Sequence, residues 1–311
     1  MKILILGASG QIGKAVVSEL INSPIFNEEI TSIVLTHRNQ NTFKNNKKVN
    51  SYHLDITDTR RIDELFSNEK YDILINLLHD TSKNFNLSED FSKNIEIVYK
   101  NIFKIIELTN PNRILFSSSG AVYGESSLNN KGFFEDEIDT NHFKGELKDY
   151  SSSKKFFESK VISWQKQSKD RSYFIFRIFS VYGSDSKSET KHAITEFIKL
   201  RRAEKNIIIN SPLTKRSYLH INDIARWINK FLCKDENLIL NFSSDNTFSM
   251  EGLANIISNI KCEFKTTKVL INNEKSNPTF YFGNNLKRKK MGLIENENFQ
   301  ASLKKQIDLD I

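Results

Sequence analysis

The 311-residue sequence predicts an α/β fold, a doubly wound parallel sheet with a smaller C-terminal lobe. Short apolar runs of continuous rather than alternating character recur through the first half, which marks strands buried on both faces. Amphipathic stretches of helical spacing separate them, the alternation expected of a parallel sheet with helices on its faces. The first run, KILIL at 2–6, leads directly into GASGQIG, a glycine-rich turn that opens a helix.

Taken in order, the strand candidates are 2–6, 32–36, 52–56, 72–78, 113–119 and 172–179. Helix candidates lie near 11–22, 58–68, 88–109 and 150–168. The last carries Phe157, Val161 and Trp164 on one face, with Asp149 as its expected N-cap. Beyond 183 the rhythm becomes irregular. Helices are expected near 191–203, 222–233 and 249–260, strands at 206–210 and 238–242, then a polar tail. The expected division is 1–183 for the sheet domain and 184–311 for the second lobe, with 216–242 returning to the sheet.

Composition narrows the class. Hydrophobic content of 38% with 27% charged residues fits a chain with a sizeable core, not a disordered one. No apolar run approaches about 18 residues, so membrane insertion is not expected. Two cysteines, Cys233 and Cys262, make no disulfide framework and point to free thiols and a cytoplasmic setting. The net charge of +7 mixes 45 basic with 38 acidic residues. The one dense basic run, KRKK at 287–290, reads as a solvated helix face, and no nucleic-acid motif accompanies it. No His, Cys or carboxylate cluster has metal-ligand spacing.

The turn after the first strand places Gly7, Gly10 and Gly13 at G-x-x-G-x-x-G spacing, with Ser9, Gln11 and Ile12 between them. Glycines allow a tight turn and close backbone approach, and the helix N-terminus presents N–H groups and a positive dipole end to a pyrophosphate. The end of the second strand reports which dinucleotide is used. A carboxylate there accepts hydrogen bonds from a ribose 2′-OH, as in NAD enzymes. This chain has Thr36, His37 and Arg38 instead. Arg38 can pair with a 2′-phosphate, which favours NADP(H), with NAD(H) the alternative. Asp55 and Ile56, in HLDITD, are placed to meet the adenine.

At the end of the fifth strand stands FSSSGAVYGE, and DYSSSKKFFESK follows at 149–160. Tyr150 and Lys154 share a helix face at i, i+4. A phenol of ordinary pKa about 10 must come down by roughly three pH units to act near neutrality. A neighbouring ammonium stabilises the phenolate and supplies part of that.

These segments, with RIFSVYG at 177–183 and RSYLHINDIA at 216–225, resemble the extended short-chain dehydrogenases/reductases. The branch they resemble is that of nucleotide-sugar epimerases, dehydratases and reductases, along essentially the whole chain. The resemblance implies a Rossmann-type sheet, a nucleotide-linked sugar as substrate, bound in the C-terminal lobe, and a homodimer formed through the helices near 88–109 and 150–168. Phe103 and Phe156 are candidates for that contact or for the core. It implies Ser119 as the active-site hydroxyl, Tyr150 as acid/base, and Lys154 as its partner on the nicotinamide ribose. It implies Arg216 on the substrate pyrophosphate, Ser180 near the sugar nucleotide, and Asn94, Ser117 and Ile178 on the cofactor side. A role in making surface-polysaccharide sugars is implied in the same way.

The sequence departs from the family pattern at two places. Leu77, Leu78 and His79 end the fourth strand where relatives carry small residues beside the cofactor, and Ser180 stands where they carry asparagine. His79 and His220 read as polar and structural residues. A dehydratase places Asp-Glu after the active-site hydroxyl, whereas this chain has Gly120 and Ala121. A 4-ketoreductase using NADPH is therefore expected, a 4-epimerase using retained NAD is the alternative, and a non-catalytic dinucleotide-binding scaffold is the minor one.

Overall fold

The computed structural model of this chain describes residues 1–38, 43, 47–78, 90–124, 131–137, 146–183, 192–272 and 278–308, with backbone alone at 90–94 and 146–148. The chain divides into two compact units. The first comprises Met1–Val122, His142–Arg177 and Ala225–Leu240, the second Tyr123–Asn141, Ile178–Ile224 and Asn241–Ile311.

The order of elements begins β1 (Lys2–Leu6), α1 (Gln11–Asn22), α2 (Pro24–Glu28), β2 (Ser32–His37), β3 (Val49–His53) and α3 (Thr59–Phe66). It continues with β4 (Ile73–Asn76), α4 (Asp90–Thr109), β5 (Arg113–Ser119), α5 (Glu146–Gln165) and β6 (Ser172–Ile178). Next come β7 (Ser180–Tyr182), α6 (Ala193–Arg202), β8 (Ile207–Ile209), β9 (Lys215–His220), α7 (Ile221–Lys230) and β10 (Leu238–Phe242). The chain ends with β11 (Thr247–Ser249), α8 (Met250–Asn259), β12 (Val269–Ile271), β13 (Phe280–Tyr281), α9 (Leu286–Lys290) and α10 (Phe299–Asp308).

A seven-stranded sheet runs β10-β6-β5-β4-β1-β2-β3. The pairs β1–β2, β1–β4, β2–β3 and β4–β5 are parallel. The order reverses between β1 and β4, and in such sheets the ligand crevice lies at the carboxyl ends of the strands at that reversal. This is the doubly wound fold expected from the sequence. Its packing is aromatic: Phe157 of α5 is fully buried and meets the rings of Tyr99, Phe103 and Phe116 at 5.0, 4.8 and 4.3 Å. Burial of one such side chain is worth about 3 kcal/mol.

The second unit holds a four-stranded sheet in which β9 pairs with β7, β11 and β13, and a small parallel pair of β8 with β12. Its apolar core includes Phe197, Leu253, Ile257, Leu303 and Ile307. Of the stretch 216–242, Leu238–Phe242 joins the seven-stranded sheet, whereas Lys215–His220 lies in the four-stranded one.

Several elements differ from the sequence expectation. The third strand is Val49–His53, not 52–56. It is the edge of the sheet and Val49 is its one buried residue, so continuous apolarity was the wrong signal there. Helix α5 starts at Glu146, which puts Asp149 in its first turn instead of at its cap. The polar tail supplies β12, β13, α9 and α10. Within KRKK, Arg288 is fully buried and binds Asp245, Glu295 and the Leu293 carbonyl, so that face is not simply solvated.

Candidate active site

The turn after β1 is built by backbone alone. Gly7 sits at φ +82°, and a Cβ there would lie 3.0 Å from the backbone of Leu77 and Leu78. A Cβ on Gly13 would lie 2.3 Å from the Gly7 carbonyl oxygen. The Gly7 carbonyl accepts from Gly10 N–H at 3.2 Å, and the Gly10 carbonyl from Lys14 N–H at 2.8 Å. Gly10 is the N-cap of α1 and no side chain caps that helix, so its first N–H groups have no side-chain acceptor at the cap. Ser9, Gln11 and Ile12 complete the turn, which is partly exposed. A turn with no room for a side chain at Gly7 or Gly13, ending in an uncapped helix N-terminus, fits the pyrophosphate of a dinucleotide.

At the end of β2, Thr36 is buried, with its hydroxyl directed to the Ile5 carbonyl at 3.5 Å, while Arg38 is exposed. His37 stacks edge-on to His53 of β3, 6.0 Å between centroids. Asp55 accepts from the Thr57 N–H and hydroxyl at 2.9 and 2.8 Å. Burial pushes its carboxyl up, but those bonds and the Arg38 charge outweigh this and hold it below the usual range. The structure thus ties Asp55 into the turn after β3 and brings Arg38 within its electrostatic reach. The Ile56 carbonyl accepts from Asn101 of α4 at 2.7 Å.

The serine run ends β5, where every residue is buried. The Ser117 carbonyl accepts from Lys154 Nζ at 3.0 Å, and the Ser119 hydroxyl accepts from the Ala121 N–H at 3.1 Å. Ser151 of α5 donates to the Ala121 carbonyl at 2.7 Å, which fixes the start of the helix on the turn after Ser119. Lys154 is 2% exposed; its ammonium lies 5.1 Å from the Phe116 ring centroid and 5.9 Å from that of Tyr150. Tyr150 itself is half-buried. A hidden cation held beside a partly accessible phenol is the arrangement that proton transfer requires.

In the second unit, Ser180 pairs in register with Tyr218 on β7 and β9. Arg216 Nη1 donates to the carbonyls of Lys215 and Thr279 at 2.9 and 3.1 Å, and Nη2 to the Thr279 hydroxyl at 3.0 Å. Its guanidinium lies 5.5 Å from the Tyr281 ring centroid. Gly183 sits at φ +94°, with a Cβ position 2.3 Å from His220 Nε2, and His220 Nδ1 accepts from the Asn222 N–H at 3.1 Å. His220 is thus a packed residue of β9. Ile178 ends β6, buried. Leu77 and Leu78 follow β4, Leu77 buried and Leu78 partly so. His79 lies outside the described residues, as does the Asn94 side chain.

Three further polar residues, Ser118, Glu158 and Arg177, meet at this end of β5. Glu158, one turn beyond Lys154 on α5, receives Arg177 Nε at 3.0 Å and Nη2 at 2.8 Å, together with the Ser118 hydroxyl. Two signals point to the pair in the sequence: an arginine inside the apolar run SYFIFRIF, and a glutamate beside Phe157 on a core-facing helix.

A dinucleotide fold that brings serine, tyrosine and lysine to the carboxyl ends of its strands defines a class, the extended short-chain dehydrogenases/reductases. The model of the NAD dependent epimerase/dehydratase family matches residues 3–241, and the chain belongs to that family. The dTDP-4-dehydro-6-deoxyglucose reductase of Escherichia coli is 26% identical over 86% of this chain and 82% of its own. The human dTDP-D-glucose 4,6-dehydratase is 25% identical over 72% of this chain, which spans 63% of that protein. In structure, the UDP-glucose 4-epimerase of Thermotoga maritima, solved with UDP-glucose, superposes with a TM-score of 0.79. The match covers 99% of this chain and 97% of that one at 19% identity, a likeness of fold.

Proposed function

We propose that this chain is an NADPH-dependent reductase of a nucleotide-linked 4-keto sugar. The observation that carries the reading is the end of β2, where Arg38 stands exposed and the segment 36–38 holds no carboxylate. The bound dinucleotide would be held at Gly7–Gly13, with its 2′-phosphate on Arg38, and would supply the hydride to the keto carbon. Tyr150 gives its phenolic proton to the oxygen that gains charge. Lys154 stabilises the phenolate left behind, and the Ser119 hydroxyl hydrogen-bonds the same oxygen. Gly120 and Ala121, following Ser119, leave no carboxylate pair there for an elimination.

A second reading is a 4-epimerase using retained NAD. It is favoured by Asp55, whose carboxylate already draws on the charge of Arg38. Denaturing the purified chain and identifying any released dinucleotide separates the two. The reductase reading expects cofactor-free protein that binds NADPH more tightly than NADH, with Arg38→Ala weakening NADPH about 10- to 100-fold and NADH little. Tightly held NAD sinks it. Tyr150→Phe is expected to abolish NADPH consumption with a 4-keto nucleotide sugar while preserving NADPH binding.

A further inference from the structure

The strongest polar construction outside the assigned residues is the cluster of Ser118, Glu158 and Arg177. Arg177 is 0% and Glu158 3% exposed, and the two share a bidentate pairing. Bidentate pairing fixes direction as well as distance. The cluster sits between Ser117, which holds Lys154, and Ser119, and Glu158 lies four residues beyond Lys154 on the same helix. Through Ser118 and Arg177 it ties one turn of α5 to both β5 and β6.

We infer that Glu158 is a positioning residue, clamped by Ser118 and Arg177, that sets where Lys154 stands relative to Tyr150. The inference rests on the catalytic reading of Tyr150 and Lys154 proposed above. The clamp acts in two ways. It fixes the rotation and height of α5 on β5, so that Lys154 Nζ reaches the Ser117 carbonyl and lies 5.9 Å from the centre of the Tyr150 ring. It also keeps Glu158 from its natural helical neighbour. Residues four apart on a helix pair readily, and a Glu158 released by Arg177 would capture the Lys154 ammonium. Arg177 holds both oxygens of Glu158, although burial and then the Glu158 charge push up the Tyr173 phenol on β6, and Lys154 remains the cation that acts on the Tyr150 phenol. Among the described residues, α4 offers Tyr99 on this side, through Ser153, and β5 offers serine hydroxyls.

The titration that tests it needs no substrate; the turnover control uses a 4-keto nucleotide sugar. The absorbance titration of the full chain minus that of Tyr150→Phe isolates the Tyr150 phenol. Ser118→Ala removes the bond from β5 to Glu158 yet leaves the ion pair intact, and is expected to move this titration upward by about one pH unit. Its thermal midpoint should stay within about 3 °C of the parent. Ser118→Thr, which restores the hydroxyl, should return the titration to the parent position. Arg177→Met should move it upward as well, by releasing Glu158 to Lys154. A Ser118→Ala chain that titrates like its parent, or a shift that threonine does not reverse, overturns the inference. Turnover that survives Tyr150→Phe sinks the catalytic reading and this inference with it. Turnover that dies with Tyr150→Phe while Ser118→Ala titrates unchanged sinks this inference alone.

Discussion

Among the described residues, each compact unit buries an arginine completely around a carboxylate, and the two are built differently. Arg177 in the first unit has Glu158 as its carboxylate, and both side chains are closed to water. Arg288 in the second unit is shared by Asp245, whose side chain is 38% exposed, and Glu295, 17% exposed, at 2.6 and 3.3 Å. It also donates to the Leu293 carbonyl at 2.6 Å. The first arrangement is dry, a bidentate pair with the Ser118 hydroxyl on the same carboxylate. The second is redundant and partly wet, and it ties α9 to the segment after β10. A cell of buried charge beside candidate catalytic groups gains from having one geometry; a clamp between loops gains from tolerance. The same substitution at the two sites should therefore have different consequences.

The largest effect is expected at Glu158. Glu158→Gln keeps the shape but leaves the Arg177 charge unpaired in a dry interior, which typically costs about 3–5 kcal/mol. Urea unfolding should show it as a lowered midpoint with an unchanged slope. The double variant Glu158→Leu/Arg177→Met removes both charges and should recover most of that stability. If the double variant is as unstable as the single one, packing and not charge governs the site.

Next in size is Gly13→Ala, which tests the contrast between a turn built for a ligand and ordinary packing. Its Cβ would fall 2.3 Å from the Gly7 carbonyl oxygen and 2.6 Å from that of Ala8, both backbone atoms that cannot step aside. Overpacking of this kind costs about 1–3 kcal/mol, and NADPH titration should show loss of affinity well beyond the stability loss. Parent-like NADPH affinity would remove the turn from the binding site.

Alkaline pH sharpens the comparison between the units. Burial pushes the phenols of Tyr71 in the first unit, and of Tyr182 and Tyr218 in the second, far above their ordinary value of 10. For Tyr182 the charges of Asp223, Glu295 and Glu297 add to the effect. The folded state keeps these protons where the unfolded chain has lost them, so the stability is fully present below pH 10 and falls as pH rises beyond it. Each phenol adds a slope of about 1.4 kcal/mol per pH unit. Tyr182→Phe should flatten the decline measured by urea unfolding between pH 10 and 11 by about that amount; an unchanged slope would mean that Tyr182 titrates freely.

What could be read from the sequence follows from how local the signals were. The strand 113–119, the glycine turn and the Tyr150/Lys154 helix pair depend on neighbours in the chain, and the structure holds all three together in one unit. Strand β3 was misplaced because an edge strand with one buried residue carries no apolar run. The Glu158–Arg177 pair was passed over because its logic is tertiary: a carboxylate on α5 balances a guanidinium on β6, and neither has meaning alone. The second unit was least legible for the same reason. Its α9 buries Arg288 on Glu295, seven residues on, and on Asp245, 43 residues back, so the run KRKK alone reads as a solvent face.

The smallest effect is expected at Glu295, and its sign is the opposite of intuition for a carboxylate beside an arginine. Burial raises its pKa above the usual carboxylate value, even though the Asp245 N–H, the Ser244 hydroxyl and the Arg288 charge pull it down. Asp245, more exposed and bound by both Lys289 and Arg288, is held below its usual range against its own burial. Asp245 therefore contributes stability that is present above pH 3.8 and lost as pH falls lower, whereas Glu295 favours the fold in its protonated form. The Glu295 contribution is present below pH 4.5 and lost as pH rises through its raised folded pKa. Glu295→Gln mimics that protonated form and leaves Arg288 its bond to Asp245. It should change stability at pH 7 by less than about 1 kcal/mol, against the several lost at Glu158. The parent's stability relative to the variant should fall as pH is raised from 4 to 7. If Glu295→Gln costs as much as Glu158→Gln at pH 7, the two arginines are equivalent and the redundancy of the second site is illusory.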